Sequence, residues 1–282
     1  MLFLLQKAIK YYIIFKEKRK EGNMDKVSLY IASFLVIILI VPIHEFAHAF
    51  AAVKAGDPTP KLEGRYTINP LKHFDLLGLL MLVLVRFGWA KPVPVNPYNF
   101  RHLRRDYFFV SIAGIVANLI MSFLFALLFT VYCFIAKNYF VSLGVSMPFD
   151  AVDYDYAGIF LGLAASSQMS WVGSILLSVL YYFFYLGIII NVNLVVFNLI
   201  PVYPLDGFRI LDCTLKRKGR VFHFLRTKGN FILLALLIWS AVCGYLEEYI
   251  PFLQYTDIFG FVLGFVNRLF FNLFTGFWGL FF

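Results

Sequence analysis

The sequence predicts an all-α polytopic membrane protein with four to five transmembrane helices and a re-entrant extended hairpin or loop. Of its 282 residues, 61% are hydrophobic and only 15% are charged. Soluble domains have about 45–50% apolar and 25% charged residues. A water-soluble enzyme of this size could not bury so much apolar surface. The three cysteines (Cys133, Cys213 and Cys243) lie far apart, so we expect small apolar residues and no thiol metal site.

The first predicted span is residues 27–53, where the only charged residue is Glu45. A helix of this length covers roughly 40 Å, enough to cross a bilayer. The second span lies within residues 107–136, which carry no charge at all. The uncharged run 156–205 predicts a third span at 171–199, preceded by a segment rich in Gly and Ser that we interpret as re-entrant or interfacial.

Two more apolar stretches follow towards the C-terminus. Residues 229–246 predict a fourth span. Residues 258–282 are long enough for a fifth, but Arg268 lies in their middle, where a charge in lipid is costly. An interfacial helix is the alternative for this last stretch.

The net charge of +9 is concentrated in two of the loops. Residues 54–106 carry nine basic residues and residues 206–228 carry seven, whereas 137–170 carry one and 247–257 none. The positive-inside rule therefore places the two basic loops in the cytoplasm. The first span and the span ending at Leu199 then run in the same direction, and their ends meet on the cytoplasmic side.

The N-terminal extension does not fit this topology. Residues 1–26 carry seven basic residues, yet the loop pattern places them on the opposite side. Translation that begins at Met24 is one interpretation, and an amphipathic helix lying on the membrane is the other. We divide the chain into this extension, a core at 27–211 and C-terminal membrane helices at 212–282.

The loop at residues 76–97 has an unusual composition. Its apolar run, 76–85, is too short to cross a bilayer as a helix. Three prolines then follow at positions 92, 94 and 97, and they favour extended backbone. We expect a re-entrant hairpin whose backbone groups at Val93 and Val95 can pair with another extended peptide.

The sequence His44-Glu45-Phe46-Ala47-His48 is an HExxH motif near the cytoplasmic end of the first span. Imidazoles at i and i+4 project from one helix face and can share a metal ion. Glu45 can accept a proton from the attacking water. Ionisable groups inside a span are costly, so a functional interpretation is favoured over a structural one.

Zinc in a catalytic site needs a third protein ligand and an open position. Asp206 ends the uncharged run on the same side of the membrane as the motif. Three other aspartates, Asp57, Asp75 and Asp106, are rivals, but their charged surroundings predict solvated side chains. We therefore take His44, His48 and Asp206 as the predicted ligands.

These motifs together resemble the site-2 protease family of intramembrane zinc metalloproteases, in its compact bacterial branch without PDZ or CBS domains. The resemblance rests on HEFAH at 44–48, on Asn198 with Pro201, Pro204 and the Leu-Asp-Gly at 205–207, and on the motifs between Gly56 and Pro97. One departure is the sequence AGIVAN at 113–118, where the family more often has AGPxAN.

The resemblance implies one zinc ion per chain on His44, His48 and Asp206, with Glu45 as catalytic base. It also implies that Asn198 contacts the substrate backbone or the developing oxyanion. The expected partners are the lipid bilayer and a membrane protein substrate with a transmembrane segment, with no role for nucleic acid. The expected location is the plasma membrane, with the active site towards the cytoplasm.

Two other functions remain open from the residues alone. A transporter or channel could use a His–Asp cluster to move a metal ion or a proton. A catalytically inactive scaffold could bind membrane helices. For the other polar residues in apolar surroundings we expect structural roles: His73 orders the re-entrant loop, and Asn118 and Asn193 form hydrogen bonds between helices.

Overall fold

The computed structural model describes residues 23–75, 77–78, 90–142, 170–246 and 249–282, and the description below is confined to them. Eight α-helices lie in these ranges: α1 (Asn23–Ala55), α2 (Thr59–Leu62), α3 (Pro70–His73), α4 (Leu103–Ser142), α5 (Trp171–Leu199), α6 (Asp206–Thr214), α7 (Arg220–Leu246) and α8 (Ile258–Gly279). Two short 3₁₀ helices, Pro97–Asn99 and Pro251–Thr256, lie between them. The predicted all-α class is confirmed.

Five of these helices (α1, α4, α5, α7 and α8) are long and apolar enough to cross a membrane. In lipid a spanning segment must satisfy its backbone hydrogen bonds internally, and a helix does so. The last helix, α8, meets this criterion although it contains Arg268, whose side chain lies on the exposed surface of the bundle. The predicted spans therefore correspond to five candidate membrane helices.

Helices α1, α4 and α5 form the centre of the bundle, and α8 packs against α4 and α5. Their contact buries a continuous set of apolar side chains that includes Val36, Ile40, Phe129, Leu186 and Leu263. Elsewhere the helices leave many large apolar side chains exposed, among them Phe34, Leu124, Phe231, Trp239 and Phe265. So large an apolar surface is explained by contact with lipid.

Hydrogen bonds link the helices within the apolar core. The amide Nδ2 of Asn267 in α8 donates to Asn193 Oδ1 in α5 at 2.6 Å. The indole of Trp278 donates to the Phe123 carbonyl oxygen at 3.0 Å, and so connects α8 to α4. The expectation that Asn193 forms a hydrogen bond between helices is confirmed.

Residues 90–96, called the extended segment below, contain no helix, and Asn96 has extended backbone dihedrals (φ −106°, ψ 99°). Phe74 and Ala90 form an antiparallel bridge, and the Lys91 N–H donates to the His73 carbonyl oxygen at 2.8 Å. The buried His73 ring donates to the Thr67 carbonyl oxygen at 2.7 Å. His73 therefore orders this loop, as expected. Of the apolar part of the hairpin, residues 76 and 79–89 lie outside the described residues.

Asp57 anchors the other end of the extended segment, and here the prediction of a solvated side chain was wrong. Its carboxylate is fully buried and accepts hydrogen bonds from the Asn96 N–H at 2.7 Å and the Asn99 amide at 2.8 Å. Burial opposes ionisation, but bonds from Thr59, Asn99 and Asn96 outweigh it and lower the pKa of Asp57 below its usual value. The many charged neighbours in sequence had suggested exposure, whereas the fold brings polar backbone groups around this carboxylate.

Asp106 is also buried rather than solvated. It accepts a hydrogen bond from the His102 N–H at 2.8 Å and from the Arg105 guanidinium at 2.9 Å, at the start of α4. Asp57 and Asp106 thus each accept hydrogen bonds from neighbouring loop residues.

The predictions made for residues 1–22 and for residues 156–169 concern parts of the chain outside the described residues.

Candidate metal site

Helix α1 brings His44 and His48 onto one face, one turn apart. The two rings meet edge to face with their centroids 4.7 Å apart, and the two Nε2 atoms are 3.2 Å apart. Both side chains are buried inside the bundle, within the span Lys26–Ala55. The i, i+4 spacing therefore produces the geometry that the motif predicted.

Asp206 is the first residue of α6 and completes the cluster from a different part of the chain. Its Oδ2 lies 3.5 Å from His44 Nε2 and 3.1 Å from His48 Nε2. The close approach of α6 to the end of α5 depends on Gly207, because a Cβ there would lie 2.5 Å from the Leu199 carbonyl oxygen. A glycine at this position lets α6 begin directly against α5, which places Asp206 beside the imidazoles.

The three donor atoms fit a zinc ion. Two imidazole nitrogens and a carboxylate oxygen are a known zinc donor set, and tetrahedral bonds of about 2.0–2.1 Å place such atoms roughly 3.3 Å apart. The observed separations of 3.2, 3.5 and 3.1 Å are close to that value. Asp206 Oδ2 is buried without a hydrogen-bond partner, so its lone pairs are available. Among the described residues this is the one group of three potential ligands within reach of a single ion.

Each ligand has a neighbour that holds its orientation. His48 Nδ1 donates to the Val110 carbonyl oxygen of α4 at 2.7 Å, so the neutral form of the ring has no proton on Nε2. Arg209 lies 3.6 Å from the second carboxylate oxygen of Asp206. Burial opposes ionisation of Asp206, but the attraction of His48 and His44 in their protonated form outweighs it and holds the pKa of its carboxyl far below its usual value. Metal binding needs the same deprotonated carboxylate, and the ion would replace the protons on the two Nε2 atoms.

Gly114 of α4 faces the two imidazoles. A Cβ at this position would overlap His48 Nε2 and would lie 2.5 Å from His44 Cε1. Because helix backbones can approach closely only where side chains are small, this glycine sets the distance between α4 and the HExxH motif. The sequence alone placed Gly114 in a family motif and did not indicate this role.

Glu45 lies beside the cluster and contacts the extended segment. Its Oε2 accepts a hydrogen bond from the Val93 N–H at 3.0 Å, and Val93 itself is buried. The N–H of Val93, which we expected to face a substrate strand, is thus bonded to the predicted catalytic base. Among the described residues, the N–H of Val95 makes no hydrogen bond.

The remaining predicted site residue, Asn198, lies in the last turn of α5 and is buried. Its amide donates to the Leu194 carbonyl oxygen of the same helix at 3.0 Å. Asn118, by contrast, contacts His44 from α4 with its amide nitrogen 3.1 Å from His44 Nδ1. The expected interhelical hydrogen bond of Asn118 is confirmed, and its partner is one of the two motif histidines.

Comparison with known proteins agrees with this geometry. The family model described as "Peptidase family M50" matches residues 32–240. The chain is 39% identical over 182 residues to "Putative zinc metalloprotease YwhC" of Bacillus subtilis (strain 168). This alignment covers 64% of this chain and 68% of that protein. It is 26% identical over 263 residues to "Putative zinc metalloprotease Rip2" of Mycolicibacterium smegmatis (strain ATCC 700084 / mc(2)155), covering 90% and 84% of the two chains. No solved structure matches.

Proposed function

Because the chain belongs to peptidase family M50, and is therefore a zinc metalloprotease with several membrane-spanning helices, we propose that it hydrolyses peptide bonds within or next to transmembrane segments of other membrane proteins. The observation that carries this proposal is the position of the candidate ligands. His44 and His48 lie inside a candidate membrane span and are buried between helices. A peptide bond that reaches them must itself enter the membrane region.

In the proposed site His44, His48 and Asp206 hold the zinc ion through the three atoms described above. When bound, zinc supplies a Lewis acid that polarises the scissile carbonyl and lowers the pKa of water. Glu45 accepts the proton of the attacking water and then donates it to the leaving amine. The hydrogen bond from the Val93 N–H fixes the direction in which the Glu45 carboxylate points.

Substrate binding is assigned to the extended segment and to Asn198. A peptide bond in a helix is shielded by its own hydrogen bonds, so the substrate must unwind before it can be hydrolysed. Residues 90–96 contain no helix and are anchored at both ends, by His73 and by Asp57, so their backbone can pair with such an unwound strand. Asn198 contacts the substrate backbone or the developing oxyanion after its amide leaves the Leu194 carbonyl.

The charge distribution supports an orientation and a location. Residues 54–106 and 206–228 contain nine and seven basic residues, which supports our assignment of both loops to the cytoplasmic side of the plasma membrane. The candidate ligands then lie towards the cytoplasm. Cleavage there would release a cytoplasmic fragment of the substrate, which is the outcome used in regulated intramembrane proteolysis.

Cleavage by the purified full chain in liposomes tests the proposed function. Single-span model substrates with different transmembrane sequences are reconstituted with the wild type, His48→Ala or Asp206→Ala, and cleavage sites are read by mass spectrometry. We expect zinc-dependent cleavage in or beside the span for the wild type, and loss of both zinc and cleavage in the variants. Ion flux without cleavage would instead favour a transporter, and zinc binding with neither would favour an inactive scaffold.

Proline substitutions separate the two functions that we assign to the extended segment. Val95→Pro removes an N–H that makes no hydrogen bond among the described residues, so it tests strand pairing without removing the bond to Glu45. Val93→Pro removes the bond to Glu45, so it also disturbs the proposed base. We expect both to reduce cleavage at normal zinc content, Val93→Pro through kcat and Val95→Pro through KM.

Val93→Ala and Val95→Ala are the matched controls, because they shorten the side chain and keep the N–H. A photoreactive amino acid at position 95 should also crosslink to substrate in a Glu45→Gln background. Full activity of Val95→Pro together with no crosslink would refute substrate pairing at this segment.

A further inference from the structure

A buried contact links Asn118 of α4 to His44 of α1. The Asn118 Nδ2 atom lies 3.1 Å from His44 Nδ1, and both side chains are buried. We infer that Asn118 is a positioning residue of the zinc site, whose amide oxygen accepts the Nδ1–H of His44 and so keeps His44 Nε2 free of a proton. This inference rests on the proposed assignment of His44 as a zinc ligand.

The tautomer of His44 decides which atom of Asn118 must face it. A neutral imidazole carries one N–H. If the Asn118 amide nitrogen donated to His44 Nδ1, the ring proton would lie on Nε2 and point towards His48 and Asp206. Zinc needs the Nε2 lone pair at that place, so the zinc-binding tautomer is the one with the proton on Nδ1.

A half turn of the Asn118 amide supplies the acceptor that this tautomer needs. The oxygen and nitrogen of an amide exchange places with little change in shape, and their assignment follows from the hydrogen bonds. In the orientation described, Asn118 Oδ1 is buried and has no hydrogen-bond partner. After the half turn this oxygen accepts the His44 Nδ1–H. The half turn moves the amide nitrogen to the place that the unpaired oxygen had occupied, so the contact with His44 and the tautomer of its ring decide the orientation.

His48 provides the comparison within the same site. Its Nδ1 faces the Val110 carbonyl oxygen at 2.7 Å, and a carbonyl can only accept, so the proton of His48 must lie on Nδ1. Val110 and Asn118 are eight residues apart on α4, with Gly114 midway between them. One face of α4 therefore provides an acceptor for each imidazole, a backbone oxygen for His48 and a side-chain oxygen for His44.

The expected consequence is a change in zinc affinity rather than in folding. Removing an outer partner of a metal-binding histidine typically lowers metal affinity by about 10–100-fold. We therefore expect Asn118→Ala and Asn118→Leu to bind zinc about 10–100-fold more weakly than the wild type. Asn118→Asp should retain wild-type affinity, since a carboxylate offers only acceptors to the His44 Nδ1–H.

The experiment measures zinc dissociation constants by chelator competition on the full chain in detergent, without substrate. The absorption spectrum of the Co²⁺-substituted protein provides a second measurement, expected to change in Asn118→Leu and to match the wild type in Asn118→Asp. Asn193→Ala is the matched control, because Asn193 is also a buried asparagine with a partner on another helix, Asn267. It should leave the zinc affinity unchanged.

Two results would overturn the inference. One is a zinc affinity of both Asn118→Ala and Asn118→Leu within twofold of the wild type. The other is an Asn118→Asp protein that folds, as judged by gel filtration, and binds zinc as weakly as Asn118→Leu. If zinc affinity falls in Asn118→Leu and is retained in Asn118→Asp, while the wild type cleaves no membrane substrate, the role of Asn118 is supported and the proposed function is contradicted.

Discussion

Glu45→Gln is expected to abolish peptide hydrolysis while the protein keeps one zinc ion per chain. Glutamine has nearly the same shape as glutamate, and its amide oxygen can still accept the hydrogen bond of the Val93 N–H, which is 3.0 Å from Glu45 Oε2 in the native chain. It cannot accept a proton from water. General-base catalysis typically accelerates a reaction by about 10²–10⁴-fold, so we expect kcat to fall by at least about 100-fold.

The measurement is cleavage of a reconstituted substrate together with zinc content by mass spectrometry. Glu63→Gln is the matched control, since Glu63 is an exposed glutamate in the loop after α2 and should leave both quantities unchanged. A Glu45→Gln protein with more than about a tenth of the wild-type kcat would show that another group accepts the proton, since general-base catalysis is worth at least about 100-fold. Loss of zinc from this variant would contradict our view that Glu45 is not a ligand.

The fold was predictable from the sequence because a bilayer imposes simple rules on it. Long apolar runs with at most one charged residue correspond to the five candidate spans, and the stretch with Arg268 is one of them. The metal cluster was predictable for a similar reason. Histidines at i and i+4 must share a helix face, and Asp206 was the acid that ended an uncharged run at the corresponding depth.

What the sequence could not indicate depends on how α4 packs against α1. The contacts of Asn118, Val110 and Gly114 with the imidazoles join residues that are 62 to 74 positions apart. A backbone carbonyl such as that of Val110 leaves no pattern in a sequence at all. The burial of Asp57 was missed because the backbone N–H groups that surround it are equally invisible.

Gly114→Ala is expected to destroy the zinc site through one added methyl group. Its Cβ would overlap His48 Nε2 and would lie 2.5 Å from His44 Cε1, so at least one imidazole must leave its position or α4 must move away from α1. Extra methylene groups in well-packed interiors cost about 1–3 kcal/mol, and here the groups displaced are the predicted ligands themselves. We expect zinc content well below one ion per chain and no detectable cleavage.

Gly276→Ala is the matched control for this substitution. Gly276 also lies in a candidate membrane helix, but a Cβ there would have no heavy atom within 4 Å, so zinc and activity should be unchanged. Helix content by circular dichroism should be the same in both variants, because alanine favours helix more than glycine does. A Gly114→Ala protein with full zinc content and normal cleavage would mean that α4 does not approach the two imidazoles as closely as described. The interhelical contacts of Val110 and Asn118 with those rings would then have to be longer as well, since all three residues lie on one face of α4.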